Sequence, residues 1–318
     1  MSFEYLDVHL IIQFLISLNV EILLIMIQLN RRINTIFRNN FKSLSNYVFY
    51  KYSSKDIDNL TLEEKNKYLI QASNEDNLLL VKLLSNKGAN INNDIKPKIK
   101  VPIYRDDRLI TYPLQYRINV WNSNKNPALI AAASNNHHKI VKYLLINGNN
   151  VNKDKNDGKN SALLIASYNG HSESVKELLN GGADIHEWED MSLAYSCKNN
   201  HLQTVKELLD KEANISNYSD RALHWSCKEG HTEIARLLLD KLPNIDNLDH
   251  MVLADTCHNG HIEIVKLLLD KGVNIRAEND LAINYASIDH HTNIIQLLLD
   301  RGNYPDSLRD HFLNENNP

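Results

Sequence analysis

The sequence predicts an all-α solenoid of stacked helix pairs, and three observations predict it. The steps Gly170-His171, Asn200-His201, Gly230-His231, Gly260-His261 and His290-His291 recur every 30 residues. Each step lies between two short apolar stripes. The upstream stripe repeats as Leu163, Leu193, Leu223, Leu253 and Ile283. The downstream one repeats as Val175, Val205, Ala235, Val265 and Ile295, followed by Leu178-Leu179, Leu208-Leu209, Leu238-Leu239, Leu268-Leu269 and Leu298-Leu299. Neither stripe is long enough to bury its face alone, so a core forms only when neighbouring units stack.

Residues 1–60 differ in kind from the array. Val8 to Leu29 is very apolar, but Asn19 and Glu21 interrupt it, and a carboxylate alone costs roughly 2.5–3.5 kcal/mol on membrane insertion. Glu4 and Asp7 stand where a signal peptide carries basic residues, and no small-residue cleavage site follows. Soluble helices fit better. Leu10, Phe14 and Leu18 form one stripe, and Ile22, Met26, Leu29, Ile33 and Ile36 another, with a break at Asn19. The layout Leu6-Asp7-Val8-His9, Phe14-Leu15-Ile16-Ser17-Leu18, Glu21-Ile22-Leu23 and Leu29-Asn30-Arg31-Arg32-Ile33 resembles an F-box, a short three-helix module. The resemblance implies that Leu10, Phe14, Leu18, Ile22 and Leu29 dock the Skp-type subunit of a cullin-RING ubiquitin ligase, some of them instead forming the module's own core.

Residues 61–92 hold a first repeat, with Ala72, Val81, Leu83-Leu84 and Gly88-Ala89-Asn90 in the register of the later units. Residues 93–126 break the pattern. Ile110, Tyr112, Leu114, Tyr116, Ile118 and Val120 alternate with polar residues or Pro113, the period of a half-buried strand, which predicts a β-hairpin-like insertion turning near Asp106-Asp107. A decayed repeat is the alternative, because Val81 and Val141 lie 60 residues apart, two whole periods. Pro113 would then interrupt its second helix.

Six repeats are expected over residues 127–305, and a C-terminal tail over 306–318. The first of the six runs from Pro127 to Asn152 and carries His137, Val141, Leu144-Leu145 and Gly148. Turn-rich links such as Gly182-Ala183-Asp184-Ile185 and Gly272-Val273-Asn274-Ile275 join the units, their glycine expected in the left-handed conformation that ends a helix. Glu212 and Leu242 replace that glycine, at roughly 0.5–1 kcal/mol each wherever the residue is held left-handed.

These units resemble the ankyrin repeat, whose pattern runs Thr-Pro-Leu-His-x-Ala, Gly-His, Val-x-x-Leu-Leu and Gly-Ala-x-x-Asn. The period of 30 is shorter than the family's, which implies shortened fingers, and Thr-Pro-Leu-His survives as Arg221-Ala222-Leu223-His224. The resemblance implies a protein-binding solenoid with contacts on the first helix of each unit, on the concave side. The 43 asparagines, with abundant Ile and Lys, resemble ankyrin proteins of giant DNA viruses, in which F-box-like modules accompany such arrays. A cytoplasmic location, in a host if the source is viral, is the matching expectation.

Composition narrows the function classes. The 318 residues carry 35 Lys+Arg against 39 Asp+Glu, a net charge of -4 without the basic footprint of a nucleic-acid binder. Three cysteines without a C-x-x-C pair support neither a disulfide scaffold nor a zinc ribbon. Cys197, Cys227 and Cys257 each precede His201, His231 or His261 by four residues, one helical face, as a metal pair would. Ser167 and Ser287 fill the same position in sister repeats, however, so these thiols read as small core residues and no metal or cofactor is expected. Without a Gly-rich phosphate loop, a nucleophile elbow or an H-E-x-x-H motif, no enzyme activity is expected either.

What remains is a surface. The residue after the Thr-Pro-Leu-His slot is Ala131, Ile165, Tyr195, Trp225, Asp255 or Tyr285, and aromatic side chains there suit contact hot spots. The alternative is that the rings pack on the finger or the adjacent helix. Fingers bearing Glu187, Glu189, Asp190, Asp220, Asp246, Asp249, Glu278 and Asp280, with Trp188 and Tyr218 among them, suit a partner with a basic patch around an apolar centre. The expected partner-binding set is therefore Ile165, Trp188, Tyr195, Tyr218, Trp225, Asp255 and Tyr285. Three roles compete: a substrate adaptor for a cullin-RING ligase, a scaffold or decoy whose residues 1–50 only cap the solenoid, and a membrane tether through Val8 to Leu29, the last not favoured.

Overall fold

The computed structural model describes residues 57–92, 126–148, 158–215, 221–242, 245 and 250–315, and the chain divides into two units, residues 1–93 and 94–318. The five adaptor-docking candidates between Leu10 and Leu29 lie outside the described residues.

The first unit contains one described helix pair, α1 (Leu62–Asn74) and α2 (Leu78–Asn86), after a short 3-10 turn at Ile57–Asn59. Thr61 and Glu64 cap α1 reciprocally: the Glu64 N–H donates to Thr61 Oγ1 and the Thr61 N–H to Glu64 Oε2. Leu69, Ala72, Val81 and Leu84 are buried between the two helices. Gly88 ends the pair at φ +88°, the left-handed stop expected of it.

Among the described residues, the second unit stacks six helix pairs. Their inner helices are α3 (Pro127–Ser134), α5 (Lys159–Tyr168), α7 (Met191–Lys198), α9 (Arg221–Lys228), α11 (Met251–His258) and α13 (Ala277–Ile288). The outer helices are α4 (His138–Gly148), α6 (Ser172–Asn180), α8 (Leu202–Leu209), α10 (Thr232–Lys241), α12 (Ile262–Asp270) and α14 (Thr292–Arg301). Inner helices pack on inner helices and outer on outer, and each pair also packs within itself. Leu163, Leu193, Leu223, Leu253 and Ile283 are at most 1% exposed, so the upstream stripe of every repeat is core. Truncating one of these leucines to Ala costs about 2–5 kcal/mol.

The Gly-His step is the joint between repeats. In each, histidine Nε2 meets a backbone carbonyl of the preceding inner helix: His171 to Ser134 at 3.0 Å, His201 to Tyr168 at 2.9 Å, His231 to Lys198 at 2.8 Å, His261 to Lys228 at 3.0 Å and His291 to His258 at 2.9 Å. A carbonyl can only accept, so Nε2 carries the hydrogen. Glycine makes room for the ring that follows. A methyl group on Gly230 would lie 2.6 Å from His261 Cε1, and one on Gly260 2.7 Å from His291 Cε1.

Asp240 with Lys271, and Asp270 with Arg301, link successive outer helices at 3.4 and 2.5 Å, exposed pairs worth about 0–1 kcal/mol each. The array ends in a helix where only a tail was expected. This helix, α15 (Asp306–Glu315), lays Phe312 against the last repeat at 6% exposure, and Arg309 Nη1 donates to the Leu299 carbonyl at 2.9 Å.

Glu212 replaces the helix-ending glycine at φ +67° and bears the expected strain, whereas Leu242 escapes it at φ -76°, in extended backbone. No strand occurs among the described residues, and the hairpin expected over 93–126 falls almost wholly outside them. Asn126 alone is described, capping α3 by accepting the Leu129 N–H.

Candidate partner-binding face

The exposed face of the inner helices carries a run of rings. Tyr168 on α5 meets Tyr195 on α7 edge-on, with centroids 5.5 Å apart, and Tyr195 stacks on Trp225 of α9 at 5.6 Å and 28°. All three rings are half-buried. Beyond Trp225 the run is broken by a polar cluster. On the far side His258 of α11 and Tyr285 of α13 resume it, with ring centroids 5.6 Å apart.

The polar cluster is built from Asp255, which His224 reaches through Nε2 at 2.9 Å and Lys228 through Nζ at 3.6 Å. Asp255 and His224 are both buried, at 6% and 9% exposure. Burial pushes the Asp255 carboxyl up, but the His224 hydrogen bond and the Lys228 ammonium outweigh it and hold the group below the usual carboxylate range. The side chain joins α9 to α11 and offers no contact area. Ile165, at 5% exposure, offers none either, because an aliphatic side chain fits the register position that a Tyr or Trp ring overfills. Of the seven expected contacts, Tyr195, Trp225 and Tyr285 are thus half-exposed on the inner helices, Ile165 and Asp255 are interior, Trp188 is half-buried in a finger, and Tyr218 lies outside the described residues.

The fingers turn in an unforeseen way. Trp188, Glu189 and Asp190 are consecutive left-handed residues at φ +51°, +61° and +56°, and Glu278, Asn279 and Asp280 repeat the turn 90 residues on, at the start of α13. Asp190 anchors the first of these turns. Its Oδ1 accepts the Asn214 N–H at 3.0 Å and the His186 Nδ1–H at 3.0 Å, leaving the carboxylate 3% exposed. At the second turn Asp280 receives the Arg276 guanidinium, which also stacks over Tyr304 at 4.2 Å.

Tyr168, Lys198, Lys228 and His258 belong to the face but not to the expected set. The signal was present in the repeat register: each lies three residues after an expected position, one turn further along the same helical face. Lys198 Nζ sits over the Trp225 ring at 5.1 Å from its centroid.

The cysteine-histidine pairs do not converge. Cys197, Cys227 and Cys257 are fully buried, and burial pushes the Cys227 and Cys257 thiols up to about 12, with Cys197 higher still. Their histidines spend Nε2 on the carbonyl joint. No three potential metal-ligating side chains come together among the described residues.

The family model for ankyrin repeats (3 copies) matches residues 104–187, 182–250 and 244–308. The chain belongs to the ankyrin repeat family. Its first match begins at residue 104, inside the stretch 93–126. Among solved structures, the ankyrin repeat domain of human ASB11 is similar, with 21% identity, a TM-score of 0.54, and coverage of 74% of this chain and 98% of that one. At that identity the likeness concerns the fold alone. No curated protein matches the sequence significantly. Ankyrin repeats are protein-protein interaction modules and typically non-catalytic scaffolds, and this ankyrin chain is such a module. No helix among the described residues is long and apolar enough to cross a membrane.

Proposed function

We propose that this ankyrin array holds its protein partner on the inner-helix stripe centred on Tyr195 and Trp225, with Tyr168 and Tyr285 extending it. One observation carries the reading: Tyr168, Tyr195 and Trp225 pack ring against ring and stay half-exposed, while Leu193 and Leu223 on the same helices are buried in the core. Large, stiff, half-exposed rings bury much area on binding and lose little rotamer freedom, which is why they serve as anchors. Trp188 and Tyr218, on the fingers, flank the same inner helices in sequence and complete the proposed contact set.

The specific role we propose is substrate adaptor. Residues 1–60, F-box-like through Leu10, Phe14, Leu18, Ile22 and Leu29, would engage the Skp-type subunit of a cullin-RING ubiquitin ligase while the repeats select the protein to be modified. The Asn-rich composition, similar to giant-virus ankyrin proteins, makes host cytoplasmic proteins the first partners to test. A scaffold or decoy is the competing role. It is favoured by the general need of solenoids for end caps, which residues 1–50 would then supply.

Affinity capture from host-cell lysate, with the full chain and with a version lacking residues 1–50, separates the two. Ligase subunits recovered only by the full chain support the adaptor. Recovery of a common partner by both, with ligase subunits in neither, leaves the scaffold.

A further inference from the structure

We infer that the stripe takes an extended protein segment anchored at two points, one apolar side chain meeting Tyr195 and Trp225 and a second, six residues along, meeting Tyr285 and Ile288, with uncharged residues between them. The inference rests on the proposed partner-binding face and adds the pattern and chemistry of its occupant.

The exposed side of the inner helices holds two apolar patches. In the first, Tyr168, Tyr195 and Trp225 lean ring on ring across α5, α7 and α9, with centroids 5.5 and 5.6 Å apart. In the second, the Tyr285 ring lies 5.6 Å from that of His258, and Ile288, one turn further along α13, is 65% exposed. Ile288 stands at the register position that holds Lys198, Lys228 and His258 in the three preceding repeats. An aliphatic side chain thus replaces polar ones there, and beside two rings it makes a patch instead of a lone exposed residue.

Between the patches, on α11, Asp255 takes the place of a ring. Its carboxylate is buried and already engaged, with His224 Nε2 at 2.9 Å and Lys228 Nζ at 3.6 Å. Lys198, further back, lies over the Trp225 ring. None of these charges is left for a partner. An acidic residue docked over the interval would compete for Lys228 and a basic one for Asp255. Either would open a buried pair in exchange for an exposed one, which is the weaker of the two. The interval therefore suits uncharged residues, and the patches on either side supply the grip.

Dimensions select the form of the segment. Trp225 and Tyr285 occupy one register position two inner helices apart, and packed helices lie about 8–10 Å from one another, which sets the anchors about 16–20 Å apart. An extended chain rises about 3.3 Å per residue and turns alternate side chains to one face, so the first and seventh residues of a segment meet the two patches while the third and fifth cross the interval. Across the stripe each helix offers two residues one turn apart, about 5.4 Å. That width is near the ~4.8 Å that separates neighbouring strands and about half the diameter of a helix with its side chains.

The test is selection of a random dodecapeptide display library on the full chain, with Trp225→Ala as counter-selection. Trp225-dependent peptides are expected to carry two Trp, Tyr, Phe, Leu, Ile or Met residues six positions apart, with no charged residue between them. Synthetic peptides of that pattern should lose affinity on the order of tenfold in Ile288→Ser, and again when the anchors are moved to four or eight positions apart. Because Ile288 is exposed, this variant should keep the wild-type circular dichroism and melting temperature. Trp225-dependent peptides whose affinity ignores Ile288→Ser, or is equal at all three spacings, would overturn the inference and leave the binding face in place. So would peptides enriched in charged residues between the anchors. Recovery of no Trp225-dependent peptide would remove the face itself, and the inference with it.

Discussion

His261 donates its Nε2–H to the carbonyl of Lys228, one repeat back, across the space that Gly230 leaves open. Glycine and histidine in adjacent repeats are therefore one device, and they should respond to mutation as one. Gly230→Ala places a methyl group 2.6 Å from the ring in a backbone held at φ +78°, and should cost about 1–3 kcal/mol. His261→Ala should cost about 1 kcal/mol through the lost bond. In a double-mutant cycle read by urea unfolding, the combined loss should be smaller than the sum, since the clash disappears with the ring. Strict additivity would show that the two act separately.

Burial lowers the His171 pKa, only partly offset by its bond to the Ser134 carbonyl. The folded state therefore binds its proton less readily than the unfolded chain does. Stability from this group is present above the unfolded histidine value of about 6.5 and is lost as pH falls below it. The melting temperature should drop between neutral pH and the mid-acid range, and His171→Gln should flatten that drop.

Removing the carboxylate of the buried cluster should be costly. Asp255→Ala leaves His224 without its partner at the α9–α11 junction, an expected loss of about 2–3 kcal/mol in chemical denaturation. The wild-type Asp255 carboxyl is held below its usual range, so its contribution should vanish as pH falls through the acid range while the variant shows less dependence there.

The three thiols should be inert in the native protein. Cys197, Cys227 and Cys257 are buried and protonated at neutral pH, so alkylation followed by intact mass should show no adduct until denaturant unfolds the repeats. Fast native labelling of any one of them would show that its inner helix opens locally.

Trp225→Ala combined with Tyr195→Ala should abolish partner capture with helical circular dichroism intact. The stacked pair itself is worth about 0.5–1.5 kcal/mol, so the melting temperature should fall only slightly. Loss of cooperative melting would instead make these rings part of the core.

Periodicity exposed what repeats and hid what does not. The positions of Leu163, Leu193 and Leu223 follow from the 30-residue spacing alone, because burial at one register position is forced by stacking in every unit. Exposure at a register position is not forced in that way. Ala131, Ile165 and Asp255 are buried where Tyr195, Trp225 and Tyr285 protrude, and size together with a histidine partner 31 residues away decides which. Among the described residues, finger carboxylates such as Glu187 and Asp190 were legible as acids but not as spent ones, since partners such as Asn160 and Asn214 lie at distant positions. The closing helix α15 had no sister unit to betray it.

The histidine of each later repeat reaches the carbonyl 33 positions earlier, whichever repeat it belongs to. Every junction from α5 onward thus presents the same plug and the same socket. A gene encoding such a chain can lose or duplicate a whole 30-residue cassette and still splice compatible ends, so recombination can shorten or lengthen the gripping surface without inventing a new joint.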